Sequence, residues 1–171
     1  MRRNIELKAR CNDLARAEAA CERVGARREW TRRQTDTYFA VAEGRLKLRV
    51  EEPGDAVLVR YQRTDFAATR ECLYELRPVP DPAATLAALA EQHGIRCRVE
   101  KSRTLFLIEN VRIHLDEVEG LGTFVEFEAV MSDGCSDAAS RELLGLLQDE
   151  LGIAEGDLVA GSYSDLLTRV P

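Results

Sequence analysis

Alternation of apolar and charged residues is the dominant pattern along this chain, and it predicts strands. Asn4 to Arg10 sets Ile5, Leu7 and Ala9 on one side, with Asn4, Glu6, Lys8 and Arg10 on the other. Val111 to Met131 reads as two strands joined by a turn at Glu119-Gly120-Leu121-Gly122. Its first strand aligns Arg112, His114 and Asp116 against Val111, Ile113 and Leu115; its second aligns Glu126 and Glu128 against Val125 and Phe127. Carboxylates gathered on one surface repel, so they call for a metal ion or for Lys and Arg partners.

Further strands are predicted from Gln34 (QTDTYFAV), in GRLKLRVEE, in AVLVRYQR, from Cys72 to Val79 and through IRCRVEKSRTLFLIEN, whose length suggests one long strand or a bent pair. In AVLVRYQR, Arg60 and Gln62 oppose Val57, Val59 and Tyr61; in the next strand, Glu75 and Arg77 oppose Tyr74 and Leu76. Helical spacing appears from Asn12 or Asp13 to about Val24, after Asp81-Pro82 up to Gly94, and from about Ser136 to Leu151. GSYSDLLTRV suggests a short terminal helix. The basic residues from Arg23 to Arg33 around Trp30 read as a helix end and a solvated loop.

Charged residues two apart recur on strand after strand: Glu6, Lys8 and Arg10; Arg45, Lys47 and Arg49; then Arg60, Glu75, Arg77, Lys101, Arg103, Arg112, Asp116, Glu126 and Glu128. An open sheet with a solvated face would account for alternation alone. The near absence of Ser, Thr and Asn from these faces, and the sorting of cations and carboxylates onto different strands, favours a closed or nearly closed barrel with a charged lumen. Such a lumen wants a polyanion, because isolated buried charges cost about several kcal/mol each.

The chain has 171 residues, 45% of them apolar and 32% charged, which suits one globular domain over residues 1–171. The net charge of -6 argues against nucleic acid as a partner. Five scattered cysteines without CxxC spacing, and the lack of any membrane-length apolar run, lead us to expect a cytoplasmic protein with reduced thiols and no membrane partner.

NIELKAR, QTDTYF, GRLKLR, VRYQR, VEKSR and HLDEVEGLGTFVEFE resemble, in that order, the signature segments of the CYTH superfamily. This superfamily joins class IV adenylate cyclases, thiamine triphosphatases and inorganic triphosphatases, and the chain looks most like its bacterial class IV cyclase branch. The resemblance implies an α+β fold: an eight-stranded antiparallel β-barrel, the triphosphate tunnel, with helices outside. It implies that Asn4, Lys8, Arg45, Lys47, Arg60, Lys101, Arg103 and Arg112 hold a triphosphate, Lys8 and Arg112 being catalytic, and that Glu6, Asp116, Glu126 and Glu128 hold metal. Asn4 departs from the family's glutamate and brings no negative charge, which bears on a second metal ion.

Carboxylates without Cys or His suit a hard cation, so Mg²⁺ or Mn²⁺ is the expected cofactor. His114 reads as a hydrogen-bonded wall residue, Tyr38 and Phe39 as core, and the cysteines as packing residues. The expected substrate is ATP, thiamine triphosphate or inorganic triphosphate. If a ribose 3′-hydroxyl attacks, ATP gives cyclic AMP and pyrophosphate; if water attacks, the protein is a triphosphatase. A non-catalytic triphosphate sensor is the third reading, and pairing of two copies through outer surfaces stays open.

Overall fold

A strand with one apolar face must bury that face, and most of the eight strands here do so outward, under helices. In the computed structural model, which describes residues 1–63 and 67–168, the strands are β1 (Arg2–Arg10), β2 (Arg27–Phe39), β3 (Arg45–Glu52), β4 (Ala56–Arg63), β5 (Arg70–Val79), β6 (Ile95–Ile108), β7 (Val111–Val118) and β8 (Gly122–Met131). Every neighbouring pair is antiparallel, and the ring closes in the order β1-β5-β4-β3-β2-β6-β7-β8. The closed eight-stranded barrel is therefore the architecture, and among the described residues closure gives every strand a neighbour on both sides.

The helices are α1 (Leu14–Arg23), α2 (Pro82–His93), α3 (Asp137–Glu150) and α4 (Tyr163–Leu167). Asp13 caps α1 by accepting from the Arg16 amide at 2.9 Å, and Asp81 caps α2 by accepting from Ala84 at 2.9 Å. Gly25, at φ 81°, follows α1 where a left-handed residue ends a helix most cheaply. The final residues of GSYSDLLTRV lie outside the described residues.

The main core sits between the barrel and two of these helices. Ile5, Leu7, Ile113, Val125 and Phe127 point out of β1, β7 and β8 against Ala17, Ala20 and Cys21 of α1 and Leu144 and Leu147 of α3. Each fully buried aliphatic or aromatic side chain contributes about 1.5–3 kcal/mol. On the other flank, Leu86 and Leu89 of α2 cover Phe39, Leu48 and Ala56.

One expectation fails here. Arg27 to Arg33 is not a loop but the first half of β2, which runs 13 residues beside the 14 of β6. No Gly or Pro interrupts it, and a register shift between Arg28 and Trp30 absorbs the extra residue. Arg27, Arg28 and Arg33 remain exposed, while Trp30 faces inward.

Candidate active site

Ring closure collects the inward side chains around a cavity of about 550 Å³. Position in the ring sorts them. β2, β3 and β6 contribute Lys47, Arg49, Lys101 and Arg103, with Glu51 near the end of β3; β1 and β8 contribute Glu6, Glu126 and Glu128, with Lys8 among them; β4 and β5 contribute Val57, Val59, Tyr61, Cys72, Tyr74 and Leu76. In this eight-membered order β1 and β8 stand opposite β2 and β3. The lumen thus has a cationic side facing an acidic side, with an apolar, aromatic wall on one flank.

The cationic side is organised by Asp36, which is fully buried. Its Oδ2 accepts from Lys47 and Lys101, each at 2.8 Å, and the Arg49 guanidinium donates to both of its oxygens at 2.7 and 2.8 Å. Burial opposes ionisation of Asp36, but Arg49, Lys101 and Lys47 outweigh it and hold the carboxyl well below its usual range. The lysines shift the other way. Burial, with Arg49 beside it, pushes Lys47 down to about 8, and burial likewise lowers Lys101 well below its ordinary value.

Cross-strand register builds the acidic side. Glu6 of β1 pairs with Glu128 of β8, which pairs with Arg112 of β7; in the next row Lys8, Glu126 and His114 align. Lys8 lies 2.7 Å from Glu126 Oε1, Arg103 donates to Glu126 Oε2 at 3.0 Å, and Arg70 donates to Glu6 at 3.0 Å. Burial disfavours the Glu126 carboxylate, yet Lys8, His114 and Arg103 lower its pKa well below normal. His114 is pushed down by its own burial and by Arg103.

At one end the tunnel is closed by the C-terminal segment. Ala9 bridges Leu158, the Val159 amide donates to the Lys8 carbonyl at 2.9 Å, and Tyr163 packs on Phe124 with its ring 3.9 Å from Lys8 Nζ. Tyr38, Val59, Tyr61, Tyr74, Val99 and Val159 form one apolar cluster with Phe124 and Tyr163. Trp30, with Arg32 stacked 4.6 Å over it, and Leu107 line the cavity toward the other end of β2 and β6.

Of the residues expected at the site, Asn4, Glu6, Lys8, Lys47, Lys101, Arg103, Arg112, Glu126 and Glu128 line this one cavity. Three are placed otherwise. Arg60 is exposed on the outer face, across from Glu75, because β4 turns Val57, Val59 and Tyr61 inward. Asp116, expected as a metal ligand, is fully buried, and its oxygens are taken by Arg103 at 2.6 and 2.5 Å and by the Tyr163 hydroxyl at 2.7 Å. It positions Arg103 from outside the cavity lining. Arg45 is turned toward the closed end, donating to Asp165 at 2.7 Å.

Asp36, Arg49, Arg70 and Tyr163 were not expected as site residues. Strand parity would have found Arg70, two before Cys72 and four before Tyr74, had the strand been started earlier. Asp36 shares the inward parity of Gln34 and Tyr38, but a lone acid carries no sign of the three cations it meets.

For a metal, one group stands out among the described residues. One ligand atom from each of His114, Glu126 and Glu128 lies within 4.8 Å of the others. Within this group His114 Nδ1 is buried without a hydrogen-bond partner, as is Asn4 Oδ1 elsewhere in the cavity lining, as a site shaped for a cation would leave them. Oxygen donors joined by one imidazole suit a divalent ion.

An antiparallel eight-stranded barrel with an ionised lumen and helices outside defines the triphosphate tunnel fold. The profile of the CYTH domain matches residues 2–163, and the chain belongs to that family. It is 23% identical over 173 residues to a Methanocaldococcus jannaschii protein provisionally named an adenylate cyclase, MJ0240, covering 95% of this chain and 97% of the relative. Among solved structures, PH1012 of Pyrococcus horikoshii superposes with a TM-score of 0.85 at 22% identity, over 95% of this chain and 98% of that one. A Hippeastrum protein, HpAC1, described as an adenylyl cyclase candidate with dominant triphosphatase activity, superposes with a TM-score of 0.69 at 17% identity, over 99% and 95% of the two chains.

Proposed function

We propose that this protein is a divalent-metal-dependent enzyme acting on a nucleoside triphosphate, by the class IV adenylate cyclase reaction that turns ATP into cyclic AMP and pyrophosphate. The observation that carries this reading is the divided lumen. Lys47, Arg49, Lys101 and Arg103 line one side of the cavity, and Glu6, Glu126 and Glu128 line the other. That separation offers cations to the phosphate oxygens of a triphosphate and carboxylates to the divalent ion it carries. Inorganic triphosphate would need no apolar flank. Here β4 and β5 present Val57, Val59, Tyr61, Cys72 and Leu76, together with Tyr74, whose buried hydroxyl has no hydrogen-bond partner. An aromatic base with a ring acceptor fits such a wall.

In this reading Arg103 and Arg49, pre-oriented by Asp116 and Asp36, clamp nonbridging oxygens, while Lys47 and Lys101 act as point charges. Lys8 and Arg112, in register with Glu126 and Glu128, are the cations that would meet the reacting phosphate beside the metal. Glu126 and Glu128, with Glu6 nearby in register, are the residues for Mg²⁺ or Mn²⁺. When bound, such an ion supplies charge neutralisation at the phosphates. The 3′-hydroxyl oxygen forms its bond to the α-phosphorus as the bond to the pyrophosphate oxygen breaks; the hydroxyl proton passes to solvent and pyrophosphate leaves with the electron pair, so orientation and charge are what the lumen must provide.

The test is incubation of the purified protein with ATP, thiamine triphosphate or inorganic triphosphate and Mg²⁺ or Mn²⁺, resolving cyclic AMP, pyrophosphate and phosphate. Metal-dependent cyclic AMP with pyrophosphate from ATP is expected. Phosphate release without cyclic AMP would make the protein a triphosphatase, and turnover of inorganic triphosphate alone would remove the role given to the apolar wall. Tight binding without product would make it a sensor.

A further inference from the structure

We infer that His114 supplies, through Nδ1, a nitrogen ligand to the cation held by Glu126 and Glu128, and that this ligand tilts the tunnel toward first-row transition cations over Mg²⁺. The inference rests on the proposed function only in taking a divalent cation to enter the tunnel.

Strand parity on β7 puts His114 in the lumen, between Leu105 of β6 and Glu126 of β8. It is 5% exposed and lines the cavity, yet its Nδ1 makes no hydrogen bond. A buried histidine serving only as wall would be expected to pair both ring nitrogens. Nδ1 instead lies 3.7 Å from Glu126 Oε2 and 4.0 Å from Glu128 Oε1, too far for hydrogen bonds. Donors about 2.1 Å from a six-coordinate ion lie roughly 3 Å apart when adjacent and about 4.2 Å when opposite. At 3.7 and 4.0 Å the observed separations are wider than the adjacent spacing, and rotation of the ring and the carboxylates would close them around an ion.

Glu126 already receives Lys8 on Oε1 and Arg103 on Oε2, but each carboxylate oxygen has two lone pairs, so both contacts leave room for an ion. Asn4 on the adjoining β1 aims a second unpartnered buried atom, Oδ1, into the same cavity. Imidazole nitrogen is a poor ligand for Mg²⁺, which favours oxygen and retained water, whereas transition cations accept it. The histidine is therefore where this chain departs from an all-oxygen site.

The experiment is titration of the purified full chain with Mn²⁺ alone, read by electron paramagnetic resonance, with nitrogen-14 modulation of the echo as the ligand signature and Mg²⁺ as competitor. Wild type should show directly bound nitrogen. His114→Ala and His114→Asn should both lose it; the Ala variant should bind Mn²⁺ about tenfold or more weakly while Mg²⁺ affinity changes less than about threefold. Thermal melts confirm that the variants fold, and the Asn variant keeps a polar group in the wall should Ala collapse it. Bound Mn²⁺ without nitrogen modulation, or an unchanged Mn²⁺ to Mg²⁺ ratio in His114→Asn, would mean that Nδ1 meets only water; the inference falls and the proposed function stands. Absence of Mn²⁺ binding even with inorganic triphosphate present would remove both.

Discussion

Asp36 is the residue on which the cationic side of the tunnel turns. Three cations converge on one buried carboxylate, and removing one partner of such a set leaves uncompensated charge. Asp36→Asn should cost about 3–5 kcal/mol in urea unfolding. Lys47 gives a pH signature. Its pKa of about 8 in the free protein must rise when a polyanion arrives, so binding takes up protons near and above that pH. The bound state holds more protons there, so affinity for inorganic triphosphate should weaken as pH rises through about 8. Calorimetry in buffers of different ionisation enthalpy measures the uptake; equal heats in both would contradict it. Arg60, exposed on β4, makes the opposite case: Arg60→Ala should leave triphosphate affinity within about twofold of wild type.

Among the elements, α4 shows how a short helix is held. Five residues cannot sustain a helix alone. Ser162 caps it, while Asp165 accepts from the Ser162 amide at 2.8 Å and ties it to Arg45 at 2.7 Å and Arg96 at 3.0 Å. Burial opposes the Asp165 carboxylate, but the Ser162 bonds and Arg45 lower its pKa from 3.8 to about 2. A carboxyl lowered on folding stabilises the fold above its unfolded pKa and loses that contribution as pH falls from about 4 toward 2. Hydrogen-exchange protection factors in Tyr163 to Leu167, taken relative to the intrinsic rate at each pH, should therefore fall over that window, and Asp165→Asn should remove that fall. The strands teach a related lesson. Parity in β4 separates Arg60 from Val59 and Tyr61 correctly, yet a period of two says only that the faces differ; β4 and β5 point their apolar side inward, against the rule of the other strands.

For the whole molecule, the division of the lumen into cationic, acidic and apolar sectors is the property that selects a substrate. Val59→Lys places a cation in the apolar wall and should shift preference from ATP toward inorganic triphosphate by about tenfold, read as the ratio of kcat/KM values; an unchanged ratio would show that the base does not lie there. Alternation, capping residues and the ordered CYTH segments were enough to determine eight strands, the outer helices and most of the lumen charges, because side-chain period and cap chemistry are local properties. Local patterns do not state which strands become neighbours. Only ring closure brought Asp36 to Lys101, turned Asp116 onto Arg103 and Tyr163, and set His114 beside Glu126 and Glu128, since each meeting depends on register across strands far apart in the chain.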